Sequence, residues 1–108
     1  MKVTFLGTNG WYNTETGNTP CVLVDTEKYY IVFDAGDGLY KLDAYIDSDK
    51  PIYIFLSHFH AEHISGLHIL SKFRFKQVLH IYGQEGTRDI LKRVIAHPFT
   101  CPISALPT

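Results

Sequence analysis

Five short segments of this sequence have the composition of β-strands, and helical patterns separate the last three of them. KVTFLG, CVLVDT and YYIVFDAG come first, and PIYIFLS and KQVLHIYG follow later. The segments are rich in β-branched and aromatic residues, and most are bounded by turn-forming residues. This order predicts an α/β fold with a mixed (α+β) sheet, which begins as a meander and continues through crossovers.

Three segments between or after these strands have helical patterns. Residues 36–48 carry three apolar side chains on one face over about ten residues, namely Leu39, Leu42 and Ile46. The second helix is predicted to begin near Glu62 or His63 and to present one apolar side. The third, in residues 84–98, is expected to end before Pro98. The fourth strand is apolar almost throughout, so we expect it to be covered on both faces.

Composition limits the classes of protein to consider. The 108 residues are 45% hydrophobic, enough for one packed core. A net charge of -1 gives no long-range attraction to nucleic acid or anionic membranes. No stretch reaches the roughly 18 apolar residues of a membrane helix, and the first residues do not resemble a signal peptide. We therefore expect a cytoplasmic protein with no membrane partner, in which Cys21 and Cys101 are separate thiols.

The loop after the fourth strand, LSHFHAEHISG, holds three of the six histidines. His58 and His60 alternate in an extended stretch, so their imidazoles point to one side and can bind one ion. Glu62 and His63 add a carboxylate and a third imidazole, a spacing able to hold a second ion. Two adjacent ions can hold the attacking and leaving oxygens of a hydrolysis. These four residues are the predicted metal ligands, and Glu62 is also the candidate catalytic residue; the alternative is a polar loop that binds no metal.

Imidazole ligands favour Zn²⁺, with one or two ions, and leave Mn²⁺ or Fe as alternatives. The segment DAGDG lies at the carboxyl end of the third strand, and the histidine loop lies at the carboxyl end of the fourth. Ligand sites gather at the carboxyl ends of strands, so the two loops are expected to face one crevice.

Other polar and aromatic residues of the sequence are weaker candidates for the same site. His68 could border it, whereas His80 is predicted to be a hydrogen-bonded strand histidine and His97 a helix-end histidine. Asp37 is predicted to be a turn or N-cap residue. Two aromatic residues in the loop of residues 7–20, Trp11 and Tyr12, would cover a core edge or a site. A small basic patch is predicted to be a solvated face and consists of Lys72, Arg74 and Lys76.

Two motifs carry a family resemblance. SHFHAEHISGL resembles the His-x-His-x-Asp-His loop of the metallo-β-lactamase superfamily, and VFDAGDG resembles its upstream aspartate motif. The flanking GNTPCVLV and IYGQEGTRDIL are similar to the ribonuclease Z-like branch of metal-dependent phosphodiesterases.

The resemblance implies a role for each residue of the two motifs. His58 and His60 would bind one metal, and Glu62 and His63 the other. Asp34 would support the histidine loop from outside the ligand set. Glu62 replaces the family's aspartate, so its reach toward the second metal differs by one methylene.

The resemblance also implies a domain organisation. Residues 1–108 would form the N-terminal half of a metallo-β-lactamase-like domain, one αβ layer of its αβ/βα sandwich. The remaining ligands would come from the half that follows Thr108 in family members.

The implied function is that of a metal-dependent hydrolase, most similar to ribonuclease Z, acting on RNA or another phosphodiester. The alternatives are a lactonase or thioesterase of the same fold, and a non-catalytic metal-binding or self-assembling half-domain. The isolated chain is expected to be weakly active or inactive.

The half-domain interpretation predicts that one sheet face stays uncovered and drives self-association as a two-fold dimer. The side chains predicted to lie on that face are Val3, Phe5, Val22, Val24, Ile31, Phe33, Ile52 and Ile54.

Overall fold

The computed structural model describes residues 1–107 as a five-stranded sheet with helices packed on one face. The strands, adjacent in chain order, are β1 (Lys2–Gly7), β2 (Cys21–Asp25), β3 (Tyr30–Phe33), β4 (Ile52–Phe55) and β5 (Leu79–Tyr82). β1, β2 and β3 pair antiparallel, whereas β3, β4 and β5 pair parallel. The predicted mixed sheet, with its initial meander and later crossovers, is confirmed.

The predicted helices are present, but two of them are largely of the tighter 3-10 type. A 3-10 helix spans Asp37–Ala44, and α1 (Ala61–Ile64) continues into a second 3-10 helix, Ser65–Lys72. α2 spans Thr87–Val94, and a short 3-10 helix spans Ile103–Ala105. The buried leucines recur at every third position, which suits a helix with three residues per turn: Leu39, Leu42, Leu67 and Leu70.

The core lies between the sheet and the helices, and it corrects the prediction for β4. Ile52 and Ile54 are fully buried against the helices, so they do not lie on the uncovered face. Tyr53 pairs with Ile31 on the opposite side of the sheet, where Phe55 is exposed. The expectation that β4 is covered on both faces is therefore wrong for the described residues. A uniformly apolar strand has no alternation from which its buried face could be read.

The rest of the predicted open face is as expected. Val3, Phe5 and Phe33 are exposed, and the side chains of β2 on this face are half-buried. The sheet thus has one face packed on helices and one face open over residues 1–107.

The strand-end loops meet at the carboxyl edge of β3 and β4. The Asp34 N–H donates to the Phe55 carbonyl at 2.9 Å, and the Ala35 N–H donates to the His63 carbonyl at 2.8 Å. The Gly66 N–H donates a hydrogen bond to the Ala35 carbonyl at 2.8 Å. A Cβ on Gly66 would lie 2.1 Å from the Gly36 carbonyl oxygen, so only glycine allows this approach.

Both cysteines are free thiols, as predicted. Burial, with a smaller contribution from the nearby Asp34 carboxylate, raises the pKa of the Cys21 thiol to about 12. Cys21 is therefore an inert core residue at neutral pH. Among residues 1–107, no helix is both long enough and apolar enough to cross a membrane.

We predict that Gly66→Ala lowers the free energy of unfolding by about 1–3 kcal/mol, because the added methyl group must displace backbone. Gly10→Ala is the matched control, since nothing lies within 4 Å of its Cβ position. Urea unfolding followed by circular dichroism measures both variants. Equal midpoints for the two variants would contradict the close approach.

Candidate metal centre

Asp34 directly follows β3 and has a φ of 62°, in the left-handed region that non-glycine residues rarely adopt. Such a conformation costs about 1–3 kcal/mol, and residues that keep it cluster at functional sites. Its backbone N–H is committed to Phe55 on β4. The left-handed turn therefore redirects the Asp34 side chain toward the loop that follows β4.

The Asp34 carboxylate accepts hydrogen bonds from two residues of that loop. Ser57 donates its backbone N–H to Oδ1 at 2.8 Å and its hydroxyl to Oδ2 at 2.8 Å. The Nδ1 atom of His63 lies 3.0 Å from Oδ2. Asp34 thus holds the start and the end of the histidine loop; its role in supporting metal ligands stays a prediction.

These contacts favour one tautomer of the neutral ring for two of the imidazoles. The single hydroxyl hydrogen of Ser57 goes to the charged carboxylate, the stronger acceptor. Ser57 Oγ must then accept a hydrogen bond from Nδ1 of His58, 2.8 Å away. His63 likewise donates from Nδ1 to Asp34. Both rings are left with an unprotonated Nε2, the form that binds a metal ion.

The structure brings the four predicted ligands together. The ring of His58 lies 4.6 Å from that of His60 and 4.1 Å from that of His63, between centroids. Glu62 Oε1 is 3.9 Å from Nδ1 of His60 and 4.0 Å from Nε2 of His63. These separations exceed a hydrogen bond. Two ligands of one tetrahedral ion, with bonds of about 2.0–2.2 Å, lie about 3.3–3.6 Å apart, so these pairs would have to move slightly closer to share an ion.

The fit to a metal is partial. Within residues 1–107, no three His, Cys, Asp or Glu side chains are arranged to hold an ion by themselves. His60, with 77% of its side chain exposed, is the least constrained of the predicted ligands. The donors thus have the right chemistry and tautomers for part of a metal centre, and a complete coordination shell needs further ligands.

The other histidines and Asp37 do not join this cluster in any contact of the described residues. The ring of His68 bonds to the Ser65 carbonyl within its own helix. His80 lies on a strand, as predicted, and its ring stacks on Tyr53 at 4.8 Å on the open sheet face. His97 lies beyond the end of α2. Gly36, and not Asp37, is the N-cap of the first 3-10 helix, and Asp37 accepts a hydrogen bond from Asn13.

The sequence pattern does not predict that Ser57 contacts Asp34 and His58, although a polar residue between an apolar strand and the first histidine is a usable signal. Trp11 and Tyr12 do not cover a core edge; both are exposed and line a cavity shared with Glu62.

Comparisons with known proteins agree with the geometry. Residues 14–88 match the profile of the metallo-beta-lactamase superfamily. Ribonuclease Z of Pyrococcus abyssi is 33% identical over 94% of this chain and 35% of its own length. Ribonuclease Z of Picrophilus torridus is 35% identical over 89% of this chain and 33% of its own. The chain spans about a third of the length of these curated relatives.

Two solved structures have a similar fold. The short form of human tRNase Z superposes with a TM-score of 0.71 and 31% identity, covering 93% of this chain and 41% of that one. The metallo-beta-lactamase fold protein YhfI from Bacillus subtilis gives a TM-score of 0.67 and 25% identity, covering 91% and 42%.

We predict that nitrogen-15 NMR of the metal-free protein, at mildly alkaline pH, finds the ring proton of His58 and His63 on Nδ1. Ser57→Ala removes the acceptor of His58 and should shift that ring toward the Nε2–H form. His63 keeps its Asp34 contact and serves as the internal control. An Nε2–H form of His58 in the unsubstituted protein would contradict the assignment.

Proposed function

The chain belongs to the metallo-beta-lactamase superfamily, and from that premise we propose that it supplies the N-terminal half of the metal centre of a ribonuclease Z-like phosphodiesterase. The observation that carries this proposal is the Asp34 carboxylate, which bonds both Ser57 and His63. This network leaves the metal-binding nitrogens of two imidazoles free and directs one of them toward Glu62.

The proposed ligand roles follow the two motifs. His58 and His60 would hold one ion, and Glu62 and His63 the other. The donor set favours Zn²⁺, with Mn²⁺ or Fe as alternatives. A bound divalent ion would activate water at neutral pH and stabilise the charge that develops during hydrolysis.

The residues of this chain have separate tasks in such a reaction. Asp34 and Ser57 are positioning residues, because their hydrogen bonds orient the imidazoles of two predicted ligands. Glu62 is the candidate catalytic residue: its carboxylate has two oxygens, so one can ligate a metal while the other accepts a proton. Its neighbours within 4.0 Å are ring nitrogens of His60 and His63.

The similar proteins support a phosphodiester substrate over a lactone or a thioester. The curated relatives are named ribonuclease Z, and one solved neighbour is a tRNase Z. Two of the three residues of the small basic patch make hydrogen bonds within the chain: Lys72 bonds to Asp43 and to the Tyr40 carbonyl, and Arg74 bonds to the Phe73 carbonyl. We expect RNA to be held mainly at the metal centre.

We predict that protein purified without a histidine tag binds zinc, and that His58→Ala combined with His60→Ala lowers the bound zinc. His80→Ala is the matched control, because that histidine stacks on the open sheet face. Metal analysis after dialysis measures the stoichiometry. Restoring the family's shorter side chain with Glu62→Asp should strengthen binding of a second metal once the other half of the site is supplied. Unchanged zinc in the double variant would contradict the ligand assignment.

We predict weak or no hydrolysis by the isolated chain, because no group of three ligands exists among residues 1–107. A chromogenic phosphodiester assay with added zinc measures the turnover. Robust turnover that His60→Ala abolishes would show that this chain alone forms a working site.

The open sheet face supports a second proposal, self-association with another copy of this chain. A shallow cavity of about 390 Å³ on this face is lined by aromatic and aliphatic side chains, namely Tyr29, Ile31, Tyr53, Phe55 and Tyr82. Rings of Phe55 and Tyr82 lie 5.6 Å apart, and those of Phe33 and Phe55 lie 6.1 Å apart. None of the side chains alternating along this face is an acid, lysine or arginine, so two copies can pack sheet on sheet without burying charge.

We predict that sedimentation equilibrium of the isolated chain shows a monomer–dimer equilibrium. Phe55→Glu combined with Tyr82→Glu should weaken the dimer, because charge would be buried in the interface. Tyr45→Glu is the control, since Tyr45 is comparably exposed at the end of the first 3-10 helix. A monomer at every concentration would contradict self-association.

A further inference from the structure

Trp11 and Tyr12 are adjacent aromatic side chains with 79% and 62% of their surface exposed. Single exposed apolar residues are common on protein surfaces. Two large aromatics side by side on an ordered loop next to a candidate metal centre are not accounted for by packing.

The loop that carries them is built by its own hydrogen bonds. The Asn9 N–H donates to the Asn18 carbonyl at 2.9 Å, and the side-chain amide of Asn9 donates to the Tyr12 carbonyl at 3.3 Å and to Thr14 Oγ1 at 3.0 Å. Thr14 and Gly17 form a two-residue bridge across the loop.

A second set of bonds ties this loop to the helical side of the fold. The Thr19 N–H donates to Asn13 Oδ1 at 2.9 Å, and the Asn13 amide donates to the Asp37 carboxylate. The Asp37 N–H in turn donates to Thr19 Oγ1 at 2.7 Å. The positions of Trp11 and Tyr12 are thus fixed relative to the first 3-10 helix.

The local geometry keeps both rings available. Trp11 has a φ of 71°, a left-handed conformation that is unusual for a bulky residue. The two ring centroids are 5.6 Å apart with planes tilted by 60°, so neither ring covers the face of the other. The faces remain free to stack with a ligand.

Both rings border a cavity that includes one of the predicted metal ligands, Glu62. They border a cavity of about 240 Å³ whose other lining residues are Asn13, Thr19, Asp37, Ala61, Glu62 and Ser65. Besides Glu62, the lining includes the polar side chains of Asn13, Thr19, Asp37 and Ser65. A flat ring with polar edges can present its faces to the two aromatic rings and its edge atoms to these polar side chains.

We propose that Trp11 and Tyr12 form a stacking platform for a nucleobase of single-stranded RNA whose phosphate lies at the metal centre. This inference rests on the proposed phosphodiesterase function. The carboxylates of Asp37 and Glu62 border the cavity and repel a bare phosphate, so the phosphate belongs on the metal and the base on the aromatic side. Stacking on aromatic side chains is a general mode of single-strand recognition, tolerant of sequence.

Trp11 is the only tryptophan of the chain, so intrinsic fluorescence reports on the platform directly. The zinc-loaded protein is titrated with a short single-stranded oligoribonucleotide and with the same backbone carrying abasic riboses. We expect saturable quenching by the first and none by the second. Tyr12→Ala should weaken binding by about fivefold to a hundredfold, as expected for the loss of one stacked base.

Two variants separate stacking from other effects. Phe99→Ala, which removes an aromatic side chain that is 75% exposed and lines neither this cavity nor the one on the open sheet face, should leave binding unchanged. Trp11→Phe should retain more affinity than Trp11→Ala when binding of a labelled oligomer is followed by anisotropy. Equal quenching by both oligomers, or quenching by neither, would overturn the platform.

The outcome also separates this inference from the function on which it rests. Zinc binding without base-dependent quenching overturns the platform alone. Base-dependent quenching by a chain that binds no zinc would contradict the proposed metal centre and would support the stacking site. Zinc content should be unchanged in Trp11→Ala, because Trp11 is not a predicted ligand.

Discussion

The hydrogen bonds of the Asp34 carboxylate hold the strand-end loops of β3 and β4 in one arrangement. Asp34 makes them from a left-handed backbone conformation while its N–H is bound to Phe55 on β4. A largely buried carboxylate needs donors, and Ser57 and His63 provide them. One side chain therefore satisfies its own charge, anchors the histidine loop and selects the tautomers of the imidazoles beside it.

Backbone contacts reinforce this arrangement. Ala35 exchanges hydrogen bonds with His63 and Gly66, so the histidine loop is tied to the sheet at two further points. A functional site is most accurate when rigid elements and supporting contacts hold its side chains. Here hydrogen bonds to Ser57 and Asp34 orient the imidazoles of His58 and His63, and Asp34 makes its contacts from a strained backbone conformation.

The open face and the metal centre share one edge of the sheet. Phe33 and Phe55 are exposed on this face and end β3 and β4, immediately before Asp34 and the histidine loop. Any protein surface that packs on the open face therefore also approaches the site. Among residues 1–107 no three potential ligands are arranged to hold an ion, and the open face lies beside the same strand ends.

The sequence by itself determined the strands, their mixed order, the helical segments and the residue types able to bind a metal, because composition and spacing act over a few neighbouring positions. It could not choose the buried face of β4, since a uniformly apolar run has no period. It also could not pair Ser57 with Asp34, which lie 23 positions apart, or reveal that Trp11 is exposed beside Glu62. The parallel register of β3 and β4 brings Ser57 to Asp34, and the hydrogen bonds of the loop of residues 7–20 position Trp11. Both depend on tertiary structure that local sequence patterns do not encode.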